Sequence, residues 1–182
     1  VLRFLRHHSQ VFTGCNLLKM VPSVGARSDA PIPADVDDVA RASIATHGAR
    51  YLDRWRTLTG ELPASSRLSP PRMFGEMGAL AGGTIINYDT CAYQERVRLL
   101  HDAGVLDWLD RRVAEAGRVR ILEVGGGYGA LASFFRRRFP ASLYTILDLP
   151  PSLLFSALYL GVTRPDVPVS FEATADAGFQ FV

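Results

Sequence analysis

The sequence has almost no lysine, little cysteine and few histidines, and each scarcity removes a class of function. Lys19 is the one lysine, and the other basic residues are arginines, a bias that reads as codon usage and not as a binding surface. Lysine and arginine together number 20 against 18 aspartates and glutamates, so a net charge of +2 gives no global field for nucleic acid or an acidic membrane surface. Cys15 and Cys91 form no CxxC pair and no Cys/His cluster at metal-ligand spacing. They read as two thiols in a reducing compartment, and no metal site is predicted. No apolar run of about 18 residues occurs, so no helix is expected to span a bilayer. Val1-Leu2-Arg3-Phe4-Leu5-Arg6 is too short and too charged for the core of a signal peptide, and a cytoplasmic location is expected. The first residue is valine, not methionine, which raises the expectation of a missing N-terminus.

What is present describes a folded chain. Hydrophobic residues make up 48% and charged residues 21%, which excludes disorder over the whole length. A chain of 182 residues has room for one ordinary domain, or for a small domain and part of another. Up to about residue 34, Pro22, Gly25, Pro31 and Pro33 mark an irregular lead-in. Asp35 can cap a helix whose apolar residues recur through Val39, Ile44, Leu52 and Trp55 and which ends at Gly60. Residues 60–84, rich in glycine, proline and serine, read as loop. Thr84-Ile85-Ile86-Asn87-Tyr88 reads as a short strand. Asp89 or Thr90 then caps a helix to about Asp102, Gly104 breaks it, and a further helix runs from Val105 to near Gly117.

The pattern changes at Arg118. Val119–Val124 is a β-rich run, Gly125-Gly126-Gly127-Tyr128-Gly129 follows at once, and Ala130–Phe139 has helical apolar spacing stopped by Pro140. Leu143–Asp148 is a second strand, Pro151 opens a helix that Gly161 caps, Val167–Phe171 is a third strand, and Phe179–Val182 a fourth. Alternating strands and helices predict an α/β fold with a parallel sheet. The domain reading is a mostly helical N-terminal region over 1–117 and a Rossmann-like ligand-binding region over 118–182.

The strand, glycine turn and helix carry the chemistry. Glycines after a strand let the backbone turn sharply and approach a ligand, and the next helix directs N–H groups at the crevice where open α/β sheets bind ligands. Asp148 closes the second strand nineteen residues past Gly129, where an acid can accept hydrogen bonds from both hydroxyls of a ribose. The two features point to a nucleoside-containing cofactor, and the loop fits two templates. Gly125-x-Gly127-x-x-Ala130 satisfies the dinucleotide pattern of an NAD(P)-dependent oxidoreductase. Glu123-x-Gly125-x-Gly127-x-Gly129 satisfies the pattern of S-adenosylmethionine enzymes. Glu123 favours the second, because a carboxylate repels a pyrophosphate and attracts the ammonium of a methionine moiety. A non-catalytic binding remnant is the third reading.

Ile121-Leu122-Glu123-Val124-Gly125-Gly126-Gly127-Tyr128-Gly129-Ala130-Leu131 resembles motif I of class I S-adenosylmethionine-dependent methyltransferases, and Tyr144–Pro150 resembles their second-strand motif. The triple-glycine loop, Phe139-Pro140, the run Asp148–Leu154 and the upstream stretch Gly83–Arg96 are similar to the sugar O-methyltransferases of bacterial surface-polysaccharide clusters. The resemblance covers about residues 75–160. It implies a Rossmann-like methyltransferase sheet, S-adenosyl-L-methionine as cofactor and a saccharide hydroxyl as acceptor. By the same resemblance Glu123, Gly125, Gly126, Gly127, Gly129, Asp148 and Leu149 form the cofactor site. The glycines line the methionine part, Glu123 orients the loop and the amino group, Asp148 holds the ribose and Leu149 flanks the adenine. Asp176 is a further candidate at the adenine amino group, although a solvated loop carboxylate is the plainer reading of it.

No catalytic base stands out. His7 and His8 fall in the lead-in, and His47 and His101 in predicted helices. Tyr88, Asp89, Tyr93 and Glu95 are candidates to reach the cofactor or substrate, with capping and packing as equal explanations. Only three or four strands fit between Arg118 and Val182, fewer than a complete sheet of that family. The expectation is the first half of the domain, with an open hydrophobic edge, inactive by itself.

Overall fold

The structure, a computed structural model, describes residues 36–70, 78–172 and 178–182. His7, His8, Cys15, Asp35 and Asp176 lie outside the described residues. Five α-helices and six strands form among those described. The chain divides into two compact units, one of residues 1–60 with 71–92 and one of residues 61–70 with 93–182.

The first unit holds α1 (Val36–Thr59), the strands β1 (Ala79–Ala81) and β2 (Thr84–Ile86), and the first residues of α2 (Tyr88–Asp102). β1 and β2 pair antiparallel across Gly82-Gly83, both with positive φ, as a two-residue hairpin requires. β1 falls in the stretch expected to be loop. Ala79-Leu80-Ala81 has no β-branched or aromatic residue to announce a strand, and its pairing with Thr84–Ile86 supplies what propensity does not. The cap of α2 also differs from expectation. Asn87, and not Asp89 or Thr90, precedes the helix, and its Oδ1 accepts the Thr90 backbone N–H at 2.9 Å. The Cys91 thiol is buried and donates to the Tyr51 carbonyl at 3.4 Å.

The second unit contains the rest of α2, then α3 (Val105–Ala116), β3 (Arg120–Val124), α4 (Ala130–Arg138), β4 (Leu143–Leu147), α5 (Pro150–Thr163), β5 (Val169–Ser170) and β6 (Gly178–Phe181). The four strands form one parallel sheet in the order β3-β4-β6-β5. The alternation of strands and helices read from the sequence is therefore present as a mixed α/β unit, compatible with a Rossmann-like organisation. Two elements of this unit differ from expectation by more than one residue. α5 runs through Gly161 to Thr163, so this glycine is internal to the helix and does not cap it. The third strand shrinks to Val169–Ser170, because Pro168 has no N–H for a ladder and Val167 closes a turn onto the Arg164 carbonyl at 3.0 Å.

One face of the sheet is packed. Tyr144, Ile146, Phe179 and Phe181 are almost wholly buried on it, and Phe135 of α4 lies 5.7 Å from the Tyr144 ring. Burying side chains of this size contributes about 1.5–3 kcal/mol each. The cross-strand register places Ile121 and Glu123 of β3 on this same face. β3 lies at the sheet edge, and the side chains of its other face, Leu122 and Val124, are 65% and 73% exposed. No helix among the described residues is long and apolar enough to cross a membrane.

Candidate functional site

β3 ends at Val124, and the next five residues turn the chain into α4. The Gly125 N–H donates to the Leu147 carbonyl at 2.9 Å, which ties the start of the elbow to the end of β4. Gly129 N–H donates to the Gly126 carbonyl at 3.0 Å and closes the turn. Gly129 then opens α4 at φ 94°, and a Cβ there would come within 2.8 Å of Leu160 Cδ1. Gly127 has φ 56°, and a Cβ on it would lie 2.7 Å from the Tyr93 hydroxyl. At these two positions both the backbone angle and the neighbour require glycine. Gly126 is buried against Ile146, with the Glu123 carboxylate beside it, 3.3 Å from where a Cβ would stand. A Cβ on Gly125 would meet nothing within 4 Å, so the mouth of the elbow is open.

Two carboxylates stand at this elbow. Asp148, directly after β4, is half-buried. Its Oδ2 accepts the Gly127 N–H at 3.2 Å and its Oδ1 accepts the Leu149 N–H at 2.7 Å. A carboxylate has about four lone-pair sites, so both oxygens keep capacity for ligand hydroxyls. Glu123 points into the packed face and accepts the Tyr144 hydroxyl at 2.9 Å. Burial raises its pKa above the ordinary carboxyl value. The Tyr144 hydrogen bond and the nearby Arg96 charge oppose that shift, and Asp148 adds to it. Tyr144 is pushed far above the usual phenol range by burial and by the neighbouring Glu123, so it remains a donor. Leu149 is 72% exposed at the start of α5 and offers an apolar surface beside Asp148.

The residues predicted for a cofactor site thus come together at the carboxyl ends of two adjacent parallel strands. Together they make an open backbone elbow, a strand-end acid with spare acceptor capacity and an adjacent apolar side chain, groups that could hold a nucleoside. Glu123 serves the elbow from below, through its contact with Gly126, and is held by Tyr144, a partner that strand alternation alone did not single out. Of the candidates on α2, Tyr93 reaches the elbow, Glu95 is exposed, and Tyr88 and Asp89 belong to the other unit. Arg96 was not foreseen, and its signal was the i,i+3 spacing from Tyr93 on one helix face. His47 is exposed on α1 and His101 lies in the last turn of α2. Among the described residues no group of His, Cys, Asp and Glu could hold a metal ion. Set against protein-family models, curated proteins and solved structures, the chain finds no match in any of the three.

Proposed function

We propose that the glycine elbow binds S-adenosyl-L-methionine and that the chain is the cofactor-binding part of an O-methyltransferase acting on a sugar hydroxyl. The observation that carries this reading is the pairing of an open glycine elbow with two strand-end carboxylates, Glu123 and Asp148. A pyrophosphate would bring negative charge to two acids, whereas a sulfonium nucleoside brings positive charge. The cofactor supplies an electrophilic methyl group on sulfur. The elbow holds the amino-acid part, Asp148 orients the ribose through hydrogen bonds to its hydroxyls, and Leu149 covers the base. The sugar acceptor and the cytoplasmic setting, which suits the buried Cys91 thiol, belong to the same proposal.

Transfer to a sugar hydroxyl needs a base to take its proton. Among the described residues no histidine takes part in a hydrogen bond or ion pair at the elbow, and none of those residues covers Leu122 and Val124 on the outer face of β3. We place the base and the acceptor pocket outside the described elements that build the elbow, and propose that the chain by itself binds cofactor without turnover.

Calorimetry with S-adenosylhomocysteine and with NAD tests the assignment. S-adenosylhomocysteine should bind and NAD should not, and the reverse result replaces the reading with an oxidoreductase. Asp148→Ala should weaken S-adenosylhomocysteine by about 10- to 150-fold, the worth of hydrogen bonds to a charged group. Unchanged affinity would favour a vestigial site, and methyl transfer to a sugar by the chain alone would overturn the claim of inactivity.

A further inference from the structure

The second unit places an arginine at the elbow that no part of the reading above uses. Tyr93 and Arg96 lie one turn apart on α2 and so share a face. Tyr93 is buried and its ring is fixed edge-on against Tyr128 at 5.4 Å, which in turn meets Tyr159 edge-on at 4.9 Å. Its hydroxyl stands over Gly127, where a Cβ would come within 2.7 Å. The Arg96 guanidinium lies over this ring, 4.7 Å from its centroid, a cation–π arrangement. The ring that bears Arg96 on one side thus reaches the elbow with its hydroxyl.

Its partners differ from those of its neighbour. Arg98, two residues on, binds Asp102 at 2.7 Å and reaches Glu61 at 3.5 Å. Arg96 is exposed and forms no ion pair among the described residues, yet its charge is felt at Glu123. A guanidinium presents five donors in a planar fork that matches a carboxylate in two-point contact.

We infer that Arg96, held across the Tyr93 ring at the glycine elbow, binds the carboxylate of a nucleoside that carries an α-amino acid. The inference rests on the reading of the elbow as a sulfonium-nucleoside site and assigns that site an anion-binding residue. The charges are complementary: one arginine meets the one carboxylate, and Asp148 at the elbow faces a ligand whose other charges are an ammonium and a sulfonium.

The test is calorimetric titration of the whole chain with two compounds. S-adenosylhomocysteine has the amino-acid part, and 5′-methylthioadenosine keeps the nucleoside and thioether without it. Arg96→Met, which keeps an apolar stem over Tyr93, should weaken S-adenosylhomocysteine by about ten-fold or more and leave methylthioadenosine within about two-fold. Arg96→Lys should recover part of the loss, because it restores charge without the fork. Unchanged S-adenosylhomocysteine affinity in Arg96→Met would overturn the inference. So would an equal loss for both compounds, which would make Arg96 a support for Tyr93. Failure of the unsubstituted chain to bind either compound is a different result, which ends the underlying site reading and the inference with it.

Discussion

Gly129→Ala puts the packing of the elbow to a quantitative test. Gly129 has φ 94° and ψ 22°, and a Cβ there would lie 2.8 Å from Leu160 Cδ1 and 2.9 Å from Leu160 Cγ. Leu160 is fully buried. The backbone cost of a left-handed conformation at a residue with a Cβ is about 1–2 kcal/mol. Forcing a methyl group into a packed interior adds about 1–3 kcal/mol. The expected loss is the sum of the two, about 2–5 kcal/mol, a large part of a typical domain's margin of about 5–15 kcal/mol. Urea unfolding measures it, with an unchanged m-value as the check that the compact state is the same. A double-mutant cycle isolates the contact. Leu160→Ala alone should cost about 2–5 kcal/mol, since it empties a buried site. In the double mutant the clash is gone, so the combined loss should fall short of the sum by about 1–3 kcal/mol. Losses that add to within about 0.5 kcal/mol would show that Leu160 does not press on the elbow, and the packing argument would fail.

Gly161→Ala should act in the opposite direction. Gly161 is internal to α5 and a Cβ there meets nothing within 4 Å, so the substitution should stabilise by about 0.5–1 kcal/mol, read as a higher melting temperature. A destabilised variant would restore Gly161 as a helix end. Glu123 should make stability depend on pH. Its carboxyl pKa is raised by burial, so the folded state binds the proton more tightly than the unfolded chain. The associated stability is complete below the ordinary carboxyl range and is lost as pH rises through the raised value. Glu123→Gln should flatten that fall in urea midpoints measured from acid to neutral pH, and an unaltered profile would remove Glu123 as its source. Tyr144→Phe deletes the hydrogen bond that holds the pKa down, so the fall should move to higher pH, with a loss near neutrality of about 1.5–3 kcal/mol.

Much of the fold was legible because its signals are local. Gly104 and Gly117 bracket α3 with left-handed backbone angles that glycine tolerates best, and both marks stand in the sequence. The strand, glycine turn and helix from Arg120 to Arg138, and Asp148 at the end of the next strand, follow from periodicity and spacing over a few residues. Signals failed where residue type alone does not decide. Ala79–Ala81 is a strand because Thr84–Ile86 pairs with it, and the helix passes Gly161 because nothing local stops it.

The sequence by itself determined the parallel α/β character of residues 118–182 and the identity of the elbow glycines and the strand-end acids, since hydrophobic period and backbone freedom are properties of short segments. Only the tertiary structure decided that β3 stands at the edge of its sheet, that Tyr144 holds Glu123 beneath Gly126, and that Tyr93, with Arg96 over its ring, stands against Gly127. These are meetings of side chains dozens of residues apart or of whole strands. Burial and pairing set such meetings, and no local pattern encodes them.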